Sequence, residues 1–407
     1  MDGDQPFQFS FFHFSRRPPA IFLAWGDAGA GESLGTAGIS HPNKCIAVVT
    51  DWITLPRAPR ILVIVLQRLG DVLLATPLIR SLRRDWPEAS IDILVFRGTE
   101  GMLAGNADIS SVLTVPPRAG MAGSLATIRR VFGRYDLAIS TQTSDKPSFY
   151  ALVAAPRRIG FVDDEVSGMW WKRRFFHRAI PAEKDNHRVV ELLRLAQAMG
   201  IEACPEIVVP TTTNAVRRWP ERYAVLHVNP KFQFRRWTEK GWRELAQALT
   251  KRGLQVVATG APDQAERDYL DRVWNIRNTP VTRLDGKLTW PELANLVRNA
   301  TIYVGPDTSM THLAASTGAP TIAIYGPASP HIIGPWPRGG LDRPWEKAAE
   351  IQRRGNVWVV QNPLPCLPCE ALGCERRLDS YSCCLDELPA GDVLIAVDQA
   401  LAPAVVH

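Results

Sequence analysis

From Arg60 onward the chain alternates short apolar runs with longer amphipathic stretches. The run at 61–66 is apolar at every position, the pattern of a strand buried on both faces. Beyond Gly70 and Asp71, the spacing of Leu78, Ile79 and Leu82 predicts a helix, kinked or restarted at Pro77. Further strands are predicted at 91–96, within 108–115 and at 135–140. A helix over 187–199 follows, stopped by Gly200. The stretch 205–220, rich in Pro and Thr, reads as a linker, after which the alternation restarts. It predicts strands at 223–228, 255–259, 301–304 and 321–325, and helices at 239–252, 262–273, 291–299 and 311–316.

Strand and helix in alternation mean a mostly parallel sheet with helices on both faces. Two such series predict an α/β protein of two doubly wound, Rossmann-like domains facing across a cleft, the GT-B architecture of many sugar-nucleotide glycosyltransferases. The expected boundaries are 58–204 for the first domain, 205–220 for the linker and 221–390 for the second. A helix near 391–401, within a C-terminal segment 391–407, is expected to cross back and brace the first domain.

Residues 1–57 read differently. Phe7, Phe9, Phe11, Phe12 and Phe14 precede a Gly/Ala/Ser-rich run without lasting periodicity. Poor order is expected there, and a start codon placed too far upstream accounts for the segment equally well. Gly29 to Gly35 loosely echoes a dinucleotide-binding loop but has no flanking strand and helix.

With 46% hydrophobic and 22% charged residues, the composition is that of a globular protein. The apolar runs are too short to span a bilayer, and the acidic start at Asp2 and Asp4 is unlike a secretory signal, so a cytoplasmic location is expected. The net charge of +6 is not gathered into a basic run interleaved with aromatics, which argues against a nucleic-acid partner. It suits an anionic small molecule or the anionic inner face of a membrane. The densest basic-aromatic stretch, WWKRRFFHR at 170–178, reads either as a strand or loop with a solvated basic edge or as a membrane or acceptor contact.

Candidate chemistry gathers at two strand ends, where open α/β sheets bind ligands. Asp71 follows the first strand behind Gly70, where backbone can approach a substrate closely; by position it faces a substrate or caps the next helix. The loop from Gly305 through Asp307 opens a helix whose free N–H groups attract a diphosphate. Thr308 and Ser309 can add hydroxyl donors there, and Asp307 reads as an organiser of the loop or a cap. His312 either donates to phosphate or satisfies a backbone carbonyl. Arg235 and Arg236 follow the strand at 223–228 and offer forks for phosphate or a solvated face, with Trp237 packing to fix their loop. Five cysteines crowd between Cys366 and Cys384; Cys366, Cys369, Cys374 and Cys383 have spacing that could form a tetrahedral zinc site, with free buried thiols or redox pairing as the other readings. An Asp-x-Asp motif able to hold a divalent ion against a diphosphate occurs only as Asp2-Gly3-Asp4, so no cofactor is expected for the chemistry.

Four strings, ILVIVLQRLGDVLLATPLIRSLRRDWPEASIDILV, HVNPKFQFRRWTEKGWRELAQAL, YVGPDTSMTHLAASTGAPTIAIYGPASP and CLPCEALGCERRLDSYSCCLDELPAGDVLIAV, resemble in order the signature regions of glycosyltransferase family nine, the ADP-heptose:lipopolysaccharide heptosyltransferases. The resemblance runs from about Arg60 to Val397. It implies that Asp71 is the catalytic base, that Arg235 occupies the basic phosphate-contacting position and that Glu266 contacts the nucleotide ribose. It also implies an ADP-heptose donor, a lipid-linked glycan acceptor and peripheral contact with the inner face of the cytoplasmic membrane. Inverting transfer needs one carboxylate to accept the proton of the attacking hydroxyl. Another nucleotide sugar or acceptor, a non-catalytic nucleotide-sugar-binding module and a nucleotide-sugar epimerase are the alternatives.

Overall fold

The computed structural model describes residues 53–402, apart from 119, 164–169, 214–218, 220, 221 and 275–279. The phenylalanine-rich stretch, the glycine motif at 29–35 and Asp2-Gly3-Asp4 lie outside the described residues. Ile53 and Leu55, ahead of the expected domain start, pack against the main core.

The first sheet has six parallel strands in the order β3-β2-β1-β4-β5-β6. They are β1 (Arg60–Val65), β2 (Ser90–Phe96), β3 (Ser111–Val115), β4 (Leu137–Ser140), β5 (Arg157–Val162) and β6 (Arg178–Pro181). Ile61 to Val65 are buried throughout, as a central strand covered on both faces requires. Between β1 and β2 lie α1 (Leu69–Leu74) and α2 (Thr76–Asp85), the latter restarting with Pro77 in its first turn, where a missing N–H costs nothing. The helices α3 (Met121–Val131), α4 (Asp145–Ala154), α5 (Trp170–Phe175) and α6 (Arg188–Ala198) complete this half. Residues on α3 and α4, with Phe176 just beyond α5, share one core with Leu62, Ile64 and Ala138 on one face of the sheet. On the other face α2 and α6 pack together. The basic-aromatic stretch at 170–178 thus forms helix α5 and the start of β6.

The second sheet has seven strands in the order β12-β13-β11-β10-β7-β8-β9. Its parallel members are β7 (Tyr223–His227), β8 (Gln255–Thr259), β9 (Val281–Arg283), β10 (Ile302–Pro306), β11 (Thr321–Ile324) and β13 (Val357–Val360). Strand β12 (Ile351–Arg354) adds an antiparallel edge on β13. The helices are α7 (Glu239–Lys251), α8 (Gln264–Val273), α9 (Trp290–Arg298), α10 (Ser309–Thr317), α11 (Pro330–Ile333), α12 (Cys383–Asp386) and α13 (Ala390–Leu401).

Helix α13 does not return to brace the first sheet. It packs on α7, β10, β11 and β13, burying Val393, Ala396 and Val397 in the core that holds Leu245 and Leu249. Each such valine contributes about 1.5–3 kcal/mol of burial, and the Arg252–Asp398 ion pair at 2.8 Å fixes its far end to the end of α7. In both sheets the strand order reverses next to the first strand of the half, between β1 and β4 and between β7 and β10. The loops leaving those carboxyl ends meet, with α1 packed on α10.

Candidate active site

Helix α1 begins directly after β1, so the residues between them, Gln67 and Arg68, stand at the switch point of the first sheet. Asp71 lies in the first turn of α1, whose N-cap is Arg68, with no side-chain capping bond. The capping reading of Asp71 therefore fails, and its carboxylate is turned to a different partner: Oδ1 lies 3.5 Å from Nε of Arg188. The guanidinium of Arg188 also donates to Oε1 of Gln67 at 2.5 Å and to the carbonyl of Thr141 at 3.3 Å. One side chain thereby ties Asp71 to the ends of β1 and β4. Burial pushes the Arg188 pKa down, while Asp71 and Glu191 pull it up; an arginine stays charged under either influence.

Arg188 opens α6, and its place is set by His187, the N-cap. Nδ1 of His187 accepts the Val189 N–H at 3.2 Å, so the proton sits on Nε2, which donates to the Gly334 carbonyl at 2.9 Å. Burial pushes this imidazole down to about 4, keeping it neutral. Gly334 belongs to the second half of the chain, so the helix carrying Arg188 is anchored across the domain junction.

On the second sheet, Arg235 ends a short 3-10 turn after β7 and Asp307 follows β10, one on each side of the switch point. Nη1 of Arg235 stands 2.6 Å from Oδ2 of Asp307 and 3.3 Å from the Asp307 carbonyl. Asp307 is thus the organiser of its loop, held by the arginine. The turn itself is tied to the C-terminal tail: Ser382 donates to the Phe234 carbonyl at 2.6 Å, and Trp237 donates to the Leu388 carbonyl at 2.9 Å while stacking edge-on against Trp242. Thr308 is the N-cap of α10, its hydroxyl accepting the Thr311 N–H, and Ser309 is the first helical residue, half-buried.

The two halves also meet at Gly70. A Cβ there would lie 3.3 Å from Cδ2 of His312 and 3.7 Å from Cα of Ser309. The missing side chain admits the opposite domain, where the sequence pattern had suggested a substrate. Arg68 also crosses the junction, its guanidinium 5.1 Å from the centre of the Phe232 ring, and burial followed by the charge of Arg235 lowers its pKa. His312 feels Asp307, Asp71 and Arg235 together, though burial dominates and lowers its pKa. Nε of Arg188, Nε of Arg235 and Nδ1 of His312 are buried nitrogens without a hydrogen-bond partner. Buried polar atoms are satisfied in nearly all native proteins, so these nitrogens are available to a polar ligand at the junction.

Other candidates lie apart. Arg236 turns away from Arg235, donating to Asn229 Oδ1 at 2.9 Å and lying 4.4 Å from the centre of the Tyr269 ring. Glu266 is buried at the start of α8, accepting the Ala261 N–H at 2.7 Å, and burial raises its pKa. Among the described residues no group of three or more His, Cys, Asp or Glu side chains is gathered so that it could hold a metal ion. The zinc expectation for Cys366, Cys369, Cys374 and Cys383 has no support; the first three are exposed, and Sγ of Cys374 accepts the Cys383 N–H at 3.3 Å. No described helix is long and apolar enough to cross a membrane.

A cavity of about 340 Å³ adjoins Arg188, lined also by Gln67, Thr141, Asp163, Lys184 and Asn186. Sequence reasoning missed Gln67, Arg68 and Arg188. Gln67 and Arg68 adjoin the Gly-Asp pair and could have been weighed with it, but nothing around Arg188 distinguishes it from any arginine opening a helix.

Two doubly wound sheets joined at their carboxyl ends, with a carboxylate from one and an arginine-held helix N-terminus from the other, define a glycosyltransferase of the GT-B architecture. Residues 125–341 match the model of glycosyltransferase family 9 (heptosyltransferase), more than half of the chain. The chain belongs to that family. A curated relative, lipopolysaccharide heptosyltransferase 3 of Escherichia coli, is 27% identical over 352 residues, covering 82% of this chain and 96% of the relative. Two solved structures share the fold. The glycosyl transferase family 9 protein of Veillonella parvula has a TM-score of 0.66 at 18% identity, with 84% of this chain and 97% of that one covered. The E. coli ADP-heptose lps heptosyltransferase II has a TM-score of 0.63 at 19% identity, with 84% and 98% covered.

Proposed function

We propose that the protein transfers a heptosyl residue, with inversion, from ADP-heptose to the inner core of a lipopolysaccharide at the inner face of the cytoplasmic membrane. The observation that carries this reading is the junction itself: the turn bearing Gly70 and Asp71 abuts the start of α10, where a Cβ at Gly70 would lie 3.3 Å from His312, and Arg235 holds Asp307 directly ahead of that helix at 2.6 Å. The names of the relatives supply the sugar and the acceptor class.

In this reading the diphosphate lies at the N-terminus of α10, whose free amides, Ser309 and the guanidinium of Arg235 meet the charge that develops as ADP departs. His312, neutral, donates or accepts through its unpartnered Nδ1. Glu266 faces the ribose and Arg236 shapes the wall beside it. Asp71 takes the proton of the acceptor hydroxyl, held in place by Arg188. Asp307 is 5% exposed and bound by Arg235 at 2.6 Å, whereas Asp71 is held more loosely, 3.5 Å from Arg188, so Asp71 is assigned as the base; a base that activates the acceptor for direct displacement gives inversion. The positive field comes from arginines and amides, so the transfer runs without a divalent cation. The acceptor sugar occupies the polar cavity beside Arg188, in the first domain.

The test is direct: purified protein, ADP-heptose and a lipopolysaccharide lacking the heptose, analysed by mass spectrometry. A product heavier by one heptosyl residue is expected. Transfer only from a UDP- or GDP-sugar would replace the donor, and nucleotide-sugar binding without any product would leave a binding module.

A further inference from the structure

Five of the nine large hydrophobic side chains exposed among the described residues fall between 125 and 175: Leu125, Phe132, Phe149, Trp170 and Phe175. Their elements are neighbours. Helices α3 and α4 pack together, the Gly133 N–H beside Phe132 donates to the Val153 carbonyl of α4, and Lys172 of α5 pairs with Asp145 at the start of α4 at 2.7 Å. Helices α3 and α4 lie on one face of the first sheet, whose core they share through Val131 and Tyr150, and Phe176, directly after α5, joins the same core. Trp170 and Phe132 are 73% and 67% exposed, an unusual state for rings of that size in water. Arg129, Arg130, Arg134 and Arg174 are exposed on the same elements or directly beside them.

Aromatic rings that reach out among arginines match a headgroup layer, where rings enter the acyl boundary and guanidinium groups meet lipid phosphates. The face also borders the proposed acceptor cavity: Lys172 donates to the carbonyl of Thr143, which lines that cavity. We propose that α3, α4 and α5 form a docking surface for an anionic lipid bilayer, laying the cavity mouth beside the headgroups from which a lipid-linked acceptor projects. The choice of a bilayer over a protein rests on the positive charge and on the neighbouring cavity. The delivery of an acceptor rests on the proposed function; the docking does not.

The test is co-sedimentation of the full chain with vesicles of phosphatidylglycerol and phosphatidylethanolamine, compared with phosphatidylcholine alone. Binding to the anionic vesicles that weakens with salt is expected. Arg129→Gln, Arg130→Gln and Arg174→Gln together should lower partition about a hundredfold, roughly fivefold per arginine. The triple variant Phe132→Ser, Phe149→Ser, Trp170→Ser should lose binding while its circular dichroism and melting match the parent. Both variants should act normally on a water-soluble acceptor fragment. Equal partition of parent and variants, or no partition of the parent, overturns the docking surface, as does capture of a protein partner by the same residues without any vesicle binding. Vesicle binding that depends on these residues, together with no heptosyl transfer, would leave the docking standing and remove the proposed function.

Discussion

The pairing of Arg235 with Asp307 makes the two residues unequal in a way that a double-mutant cycle can read. At 2.6 Å and an effective dielectric near 20, two unit charges attract by roughly 6 kcal/mol before desolvation is counted. Arg235→Met would strand the carboxylate of Asp307, which is 5% exposed, and breaking a buried pair from one side costs about 3–5 kcal/mol of stability. It also removes charge-assisted bonds to phosphate worth about 1.5–3 kcal/mol, weakening ADP about 10- to 150-fold. Asp307→Asn keeps an acceptor for the arginine and removes the anion that competes with the diphosphate. Its affinity for ADP should equal or exceed that of the parent. The double variant Arg235→Met, Asp307→Asn should recover most of the lost stability and little of the affinity. Urea unfolding and titration calorimetry with ADP measure the two quantities separately. If Asp307→Asn weakens ADP as much as Arg235→Met does, Asp307 touches the nucleotide and the organising role is wrong.

Burial holds His187 at about 4 against an ordinary 6.5, so the unfolded chain binds its proton first as pH falls. Stability should therefore be complete above about 6.5 and drain away down to about 4, by about 3 kcal/mol from this residue. His187→Gln should flatten that part of a pH series of urea midpoints, and an unchanged slope would contradict the assignment. Gly241→Ala places a Cβ 2.5 Å from the Trp237 ring; overpacking of about 1–3 kcal/mol outweighs a helix-propensity gain of up to about 1 kcal/mol, so melting should fall by a few degrees. A rise in melting temperature would show that the tryptophan yields freely. EDTA should leave turnover unchanged, whereas activity lost to chelation and restored by magnesium would refute the purely cationic phosphate site.

Much of the architecture was legible because parallel strands buried on both faces are written as unbroken apolar runs. Residues 61–66, 91–96, 223–228 and 321–325 each lie within a residue or two of an observed strand. Several strands that escaped lack that signature: β5 opens on Arg157-Arg158, β6 on Arg178, and β12 carries two arginines at an edge; β13, the buried run VWVV, carries it and was still missed. Helix α13 was placed correctly along the chain and wrongly in space, since the face formed by Val393, Ala396 and Val397 declares that it must be buried but not against what. At the site the same limit holds. The loops bearing Asp71, Arg235 and Asp307 could be found from strand ends and glycines, because local chemistry marks them. That Arg235 binds Asp307 while Arg236 binds Asn229, or that Arg188 reaches Asp71, depends on rotamers across elements far apart in sequence.

The central claim is that Asp71 acts as the base for a sugar whose nucleotide is held from the opposite sheet. Asp71→Asn, nearly isosteric, should reduce the turnover of ADP-heptose and acceptor about 10²- to 10⁴-fold while leaving the affinity for ADP within about twofold. Parental turnover in that variant, or loss of ADP binding in step with turnover, would contradict the account.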